Sequence, residues 1–293
     1  MEEDQRDEAQ SLEEALEAAF DRVEVANAAE RTVVGLSMGF RDLDELTGGL
    51  LGGTLTVVAA RPAMGRSTFV RGVCERAALT ARIPTLHISL EHAITETTLR
   101  LISSRGRIPL HHMRTGAMTD DDWKRFELVT PKIANAPLYF WSPTRVTMAQ
   151  LATRAREDVE LRDIGLIAVD GIQDIRPEKR SDLREREVGD IVRDLKALAR
   201  ELDIPVVVSS HLNRGAETRP DRMPTLDDLR ESGAITYAAD TIILLHRPDA
   251  YGRETPRAGE ADLIVAKHRD GPTARFTCAF QGHYSRFVEM ACP

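Results

Sequence analysis

Leu55-Thr-Val-Val-Ala-Ala60-Arg-Pro-Ala-Met-Gly65-Arg66-Ser67-Thr68-Phe69 carries the decision about the fold. Its first six residues are apolar and partly β-branched, the composition of a strand buried on both faces. The residues from Ser67 open a helix. Between them lies a near match to G-x-x-x-x-G-K-[ST], the phosphate loop, in which backbone N–H groups curl around phosphate oxygens at a positive helix terminus. Ala63, Met64, Gly65, Arg66, Ser67 and Thr68 are therefore the candidate phosphate-binding residues. Gly65 permits close backbone approach, and the Ser67 hydroxyl is placed to hold Mg²⁺. Ala60 stands for the first Gly of the pattern and Arg66 for its Lys. Alone, the stretch is also compatible with an ordinary strand–turn–helix junction, so the flanking sequence has to decide.

Outward from the loop, short apolar runs alternate with helical ones. Thr85–Ser89, Ile164–Asp170, Pro205–Ser209 and Thr241–Leu245 read as strands, and Ser67–Ala81, Thr147–Leu161 and Glu187–Leu202 as helices. This order predicts an α/β fold with a mostly parallel twisted sheet and helices on both faces. Ala261–Lys267, Ala274–Phe280 and Arg286–Met290 read as antiparallel edge strands. In such a sheet, ligands bind beyond the carboxyl ends of the strands. Two acids fall there: Glu91 just after His87-Ile-Ser-Leu, and Asp170 closing Leu166-Ile-Ala-Val. An acid after four apolar residues has the form of a Walker B aspartate, which holds Mg²⁺. Glu91 is then placed to activate or orient the attacking water. His211, after Val206-Val-Val-Ser-Ser, supplies a third polar group that can contact a γ-phosphate and signal to the following loop. The adjacent His111 and His112 have no third metal ligand at suggestive spacing.

The 293 residues, 42% hydrophobic, suffice for one large core or for a domain with a small appendage. Residues 1–30 differ from the rest, which places the alternating α/β domain at 31–293. From Ser11 to about Glu30 an acidic segment carries Leu12, Leu16, Ala19, Phe20 and Val23 at helical spacing, and Ser11 with Glu14 fits a capping box. That stripe packs either on its own domain or on a neighbouring subunit. A net charge of −8 provides no general attraction to nucleic acid. The arginines at 100, 105, 107 and 114, and the basic run from Arg176 to Arg186, read as solvated faces unless a motif places them otherwise. Three cysteines without CxxC spacing fit a reducing, cytoplasmic setting. No apolar run is long enough to span a membrane, and the acidic start is unlike a secretory leader.

With these residues in hand, the sequence resembles the C-terminal RecA-like ATPase domain of DnaB-type replicative helicases from about Arg31 to Met290. The likeness is carried by Gly35–Gly49 (GLSMGFRDLDELTGG), Ala59–Phe69, Ser89–Glu91, Arg114–Trp123 (RTGAMTDDDW), Asp170 with Gln173, Ser209–Arg214, Asp228–Ile235 (DLRESGAI), Ala266–Pro272 (AKHRDGP) and Ser285–Phe287. In that family Ala at position 60 is usual.

The resemblance implies ATP and Mg²⁺ as ligands, with Ser67 and Asp170 on the metal and Glu91 as the catalytic carboxylate. It implies that Lys267 and Arg269 reach the γ-phosphate of a neighbouring subunit. It further implies that Arg230, Glu231 and Gly233 form a loop on single-stranded DNA, inside a hexameric ring of identical subunits that works with other replication proteins. The resemblance implies that the acidic segment is the family's interdomain linker helix, and in the family that helix docks on the adjacent subunit. His211 stands where Gln is usual. Arg66 keeps the charge of Lys but offers a longer planar fork. Two functions remain in view: an ATP-driven helicase subunit, and a nucleotide- and DNA-binding relative that assembles with a helicase but hydrolyses poorly.

Overall fold

The computed structural model describes residues 11–28, 33–178, 181, 183–229, 232–252 and 255–290. Nine strands form one sheet: β1 (Leu55–Ala60), β2 (Thr85–Ser89), β3 (Leu138–Trp141), β4 (Leu166–Asp170), β5 (Val206–His211), β6 (Thr241–His246), β7 (Glu260–His268), β8 (Ala274–Gln281) and β9 (Arg286–Glu289). Their order is β3-β2-β4-β5-β1-β6-β7-β8-β9. The pairs from β3 to β6 are parallel and those from β6 to β9 antiparallel, as expected from the sequence.

The larger helices are α1 (Leu12–Ala28), α3 (Arg66–Glu75), α4 (Ile94–Gly106), α6 (Asp120–Ala134), α7 (Met148–Arg162) and α8 (Arg184–Leu202). Shorter ones are α2 (Arg41–Thr47), α5 (Leu110–Thr115), α9 (Gly215–Thr218) and α10 (Ser232–Ala238). Alternation along the strands assigns the two faces. Val58, Ala60, Leu166, Ala168 and Val207 pack with Phe69, Val70, Val73 and Cys74 of α3. Val57, Ala59, Ile167, Val169 and Val208 pack instead with Leu151 of α7 and Val188, Ile191, Val192 and Leu195 of α8. The central strands β1, β2, β4 and β6 are buried along their whole length, because helices cover both sides.

Two stretches depart from the sequence reading. The helix expected over Ser67–Ala81 turns at its end into a π-helical segment, Arg76–Thr80. Between β2 and β4 the chain also builds the edge strand β3, and α4, α5 and α6, which share a small separate core of Ile102, Ile108 and Val129. At the other end of the chain, α1 begins where the capping box placed it: Glu14 N–H donates to Ser11 Oγ at 3.2 Å, and Ser11 N–H to Glu14 Oε2 at 2.7 Å. Its apolar side chains Leu12, Leu16, Phe20 and Val23 are all exposed.

Candidate active site

Register brings the expected residues to one edge. Ala60 of β1 lies beside His211 of β5, and Ser89 of β2 beside Asp170 of β4. The loop leaving β1 takes left-handed backbone at Ala63 (φ 66°) and Gly65 (φ 97°). Phe69 N–H donates to Gly65 O at 2.9 Å, closing the first turn of α3. A Cβ at Gly65 would lie 2.8 Å from the Phe287 ring, so glycine is required there by both backbone and space. Arg61 Nη1 donates to Leu212 O (2.8 Å) and Arg247 Nη1 to Ala63 O (3.0 Å), which fixes the loop from both sides. The Arg247 guanidinium also lies 3.7 Å over the Phe280 ring centroid, a cation–π stack at the edge of the loop. Gly65, Arg66, Ser67, Thr68, Glu91 and His211 line one cavity of about 340 Å³.

Arg66 turns to the two strand-end acids. Its side chain is 7% exposed, Nη2 donates to Glu91 Oε2, and Nε lies 3.9 Å from Asp170 Oδ1. Asp170, 2% exposed, also accepts from Ser209 Oγ at 2.6 Å. Glu91, His92 and Asp170 each bring a ligand atom within 4.8 Å of the others. Their two carboxylates are hard oxygen donors suited to Mg²⁺, and the guanidinium of Arg66 bridges the same two acids as a positive group.

The sequence reading missed Asp174. This residue closes a 3₁₀ turn, Ile172–Asp174, just after β4. Burial, and next the charge of Glu91, push its carboxyl above the usual range, while His211 and Arg66 oppose that shift. A Cβ on Gly171 would come within 2.9 Å of Asp174 Oδ2 and 3.9 Å of Arg66 Nη2, so this glycine leaves the space the two side chains share. An acid four residues beyond Asp170 was the available signal. Gln173, quoted only as a family match, links strands: Nε2 donates to Ser210 Oγ (2.9 Å), and His211 N–H donates weakly to Gln173 Oε1 (3.4 Å).

Lys267 and Arg269 lie elsewhere. Lys267 pairs with Ile242, which pairs with Val57, so both cations sit toward the amino end of the parallel strands, away from the phosphate loop. Lys267 Nζ donates to the carbonyls of Thr236 (2.6 Å) and Ala239 (2.5 Å) at the end of α10, and Arg269 Nη1 pairs with Asp240 Oδ1 at 2.8 Å. Burial, then the charge of Arg269, lowers the pKa of Lys267. Gly233 is exposed at the start of α10; Arg230 and Glu231 fall outside the described residues. The segment after His211 loops out and returns beside it, with Leu212 bridged to Leu229 and Asn213 N–H donating to Asp228 O at 2.7 Å.

A phosphate loop on the strand flanked by β5 and β6, with acids at the ends of β2 and β4, defines the RecA-like class of P-loop nucleotide-binding domains. More narrowly, the chain belongs to the DnaB-like helicase C terminal domain family, whose profile matches residues 35–289. It is 43% identical over 280 residues to the replicative DNA helicase DnaB of Leifsonia xyli, covering 96% of this chain and 61% of that protein. It is 47% identical over 210 residues to the replicative DNA helicase DnaB of Mycobacterium leprae, covering 72% of this chain and 35% of that protein. Among solved structures, one ATPase domain superposes with a TM-score of 0.91 at 30% identity, over 97% of this chain and all of that one. A DnaB-like replicative helicase, described with its interactions with primase, gives a TM-score of 0.87 at 30% identity, over 97% of this chain and 68% of that one. Thus the chain spans less than two thirds of the curated relatives it matches.

Proposed function

We propose that this chain is the ATP-hydrolysing motor of a replicative DNA helicase, acting on single-stranded DNA as one subunit of a hexameric ring. The observation that carries this reading is the meeting of phosphate loop, Glu91 and His211 in one cavity, with Asp170 joined to it through Arg66. The nucleotide's phosphates take the N–H groups of Gly65 to Thr68 at the start of α3. Ser67, Asp170 and Glu91 fit Mg²⁺, which when bound neutralises phosphate charge. The stacked Arg247 and Phe280 border the loop and offer a face to a nucleobase. Glu91 orients the attacking water once Arg66 has released it.

His211 reads the γ-phosphate, and the Leu212–Leu229 bridge passes the change to Arg230, Glu231 and Gly233, the proposed DNA loop. Lys267 and Arg269 serve a neighbour's nucleotide, since their place at the far end of the sheet takes them away from their own. The exposed stripe of α1 docks on an adjacent subunit. Other replication proteins are proposed partners, in keeping with the primase interaction named for the related structure.

The test is ATP hydrolysis with and without single-stranded DNA, beside a Glu91→Gln variant. DNA-stimulated turnover that falls by about 10²-fold or more in the variant is the expected result. Turnover equal to the variant's, with nucleotide still bound, would leave a silent relative that assembles with a helicase. DNA affinity should fall steeply with salt, because the proposed contacts are to backbone phosphates; salt-insensitive binding would remove the DNA-loop reading.

A further inference from the structure

We propose that a second cavity, behind the phosphate-loop helix, is an anion site that takes a small phosphorylated ligand, a nucleotide bearing at least two phosphates. The cavity holds about 450 Å³ and runs along α3 between the start of α2, the end of α4 and β9. Of the residues that line the loop cavity it shares only Thr68.

Charge is the first argument. Arg71, Arg76, Arg105, Arg107 and Arg286 line it against two carboxylates, Glu75 and Glu289, an excess of three positive charges in a chain of net charge −8. Both carboxylates are engaged: Glu75 with Arg71 and with Ser104 Oγ (2.9 Å), Glu289 with the backbone N–H of Arg41 (2.8 Å). Among the described residues, Arg76, Arg105 and Arg107 have no carboxylate at ion-pair distance. Among the described residues Arg286 donates to neutral oxygens, Gln281 Oε1 (2.7 Å) and Ser104 O (3.2 Å). Arg71 is 2% exposed, and its Nε has no hydrogen-bond partner. Desolvation, then the nearby positive charges, lowers the pKa of both Arg105 and Arg286; a bound anion would relieve that repulsion.

Backbone geometry is the second argument, independent of charge. Gly72 sits inside α3, where glycine costs about 1 kcal/mol relative to Ala, yet a Cβ there would meet nothing within 4 Å. Arg76 and Thr80 bound the π-helical segment that ends this helix, a feature frequent at functional sites. Arg107 is held at φ 52°, a conformation that costs a non-glycine residue roughly 1–2 kcal/mol. All four positions line this cavity, so three departures from local preference converge on one space. Arginine forks match phosphate bidentately. The stacked rings of Phe40 and Phe69, centroids 5.5 Å apart, supply an apolar wall for a base.

Equilibrium dialysis of ADP against the whole chain tests this, with and without EDTA, beside Arg105→Glu/Arg107→Glu and Gly72→Leu. The expected result is two ADP per chain, one of them insensitive to EDTA. That one should weaken at least tenfold in both variants and be displaced by inorganic tripolyphosphate. Gly72→Leu fills the cavity without altering its charge, and helix propensity favours its folding. One ADP per chain, or an EDTA-insensitive class unchanged in both variants, overturns the proposal. Loss of self-association in Arg105→Glu/Arg107→Glu without nucleotide also overturns it, assigning the arginines to a second copy's carboxylates. Because the EDTA-sensitive class reports the phosphate loop separately, failure of one site is distinguishable from failure of the other.

Discussion

A lysine at position 66 would present a compact point charge, whereas the guanidinium of Arg66 is wide enough to bond Glu91 while lying 3.9 Å from Asp170. In the proposed role of Glu91, the bond from Arg66 occupies Oε2 and competes with an attacking water for this carboxylate, so releasing it adds to the barrier. Hydrogen bonds to charged groups contribute about 1.5–3 kcal/mol. Arg66→Lys should therefore raise ATP turnover by roughly 10- to 100-fold, measured with single-stranded DNA present; unchanged turnover would mean that nucleotide binding alone moves Arg66 aside. Gly65→Ala tests the loop itself. With φ at 97° and a ring atom of Phe287 2.8 Å from the new Cβ, the variant should lose about 1–3 kcal/mol of stability and most of its nucleotide affinity, read by thermal melts with and without ADP.

At the scale of elements, β2 carries a buried group with a pH consequence. His87 is 2% exposed between Phe140 of β3 and Ala168 of β4, and neither ring nitrogen has a hydrogen-bond partner. Burial pushes its pKa down from 6.5 to about 4. Between those values the unfolded chain takes up a proton that the folded chain refuses. The stability is fully present above pH 6.5 and is lost as pH falls toward 4, by about 3 kcal/mol in all. Urea denaturation across that range should show the slope, and His87→Leu should flatten it; an unaltered slope would assign it to other groups. Most of these elements were legible in the sequence, since β1, β2, β4, β5 and β6 are apolar runs between helical patterns. β3 was not, because four residues (Leu-Tyr-Phe-Trp) at a sheet edge carry little alternation. Nor was the end of α3 at Glu75, because its apolar spacing continues through the π-helical segment.

For the whole molecule the open question of α1 becomes a question of assembly. Leu16 and Phe20 are exposed in the single chain, so burying them requires another surface. Leu16→Glu with Phe20→Glu should lower the assembled mass in light scattering while shifting stability by no more than about 0.5 kcal/mol. A parallel drop in melting temperature would instead show that the stripe packs within its own domain.

What the sequence determined by itself was the α/β fold and the approach of Glu91, Asp170 and His211 to the phosphate loop. Parallel strands buried on both faces must be apolar, and a polar residue that ends such a strand has to emerge at the common carboxyl edge. Tertiary structure alone decided that Arg66 lies on Glu91 and near Asp170, that Asp174 joins them, that Lys267 and Arg269 stand at the far end of the sheet, and that five arginines enclose a cavity. Those relations join residues far apart in the chain, and they depend on strand order, register and side-chain direction, which no local periodicity encodes.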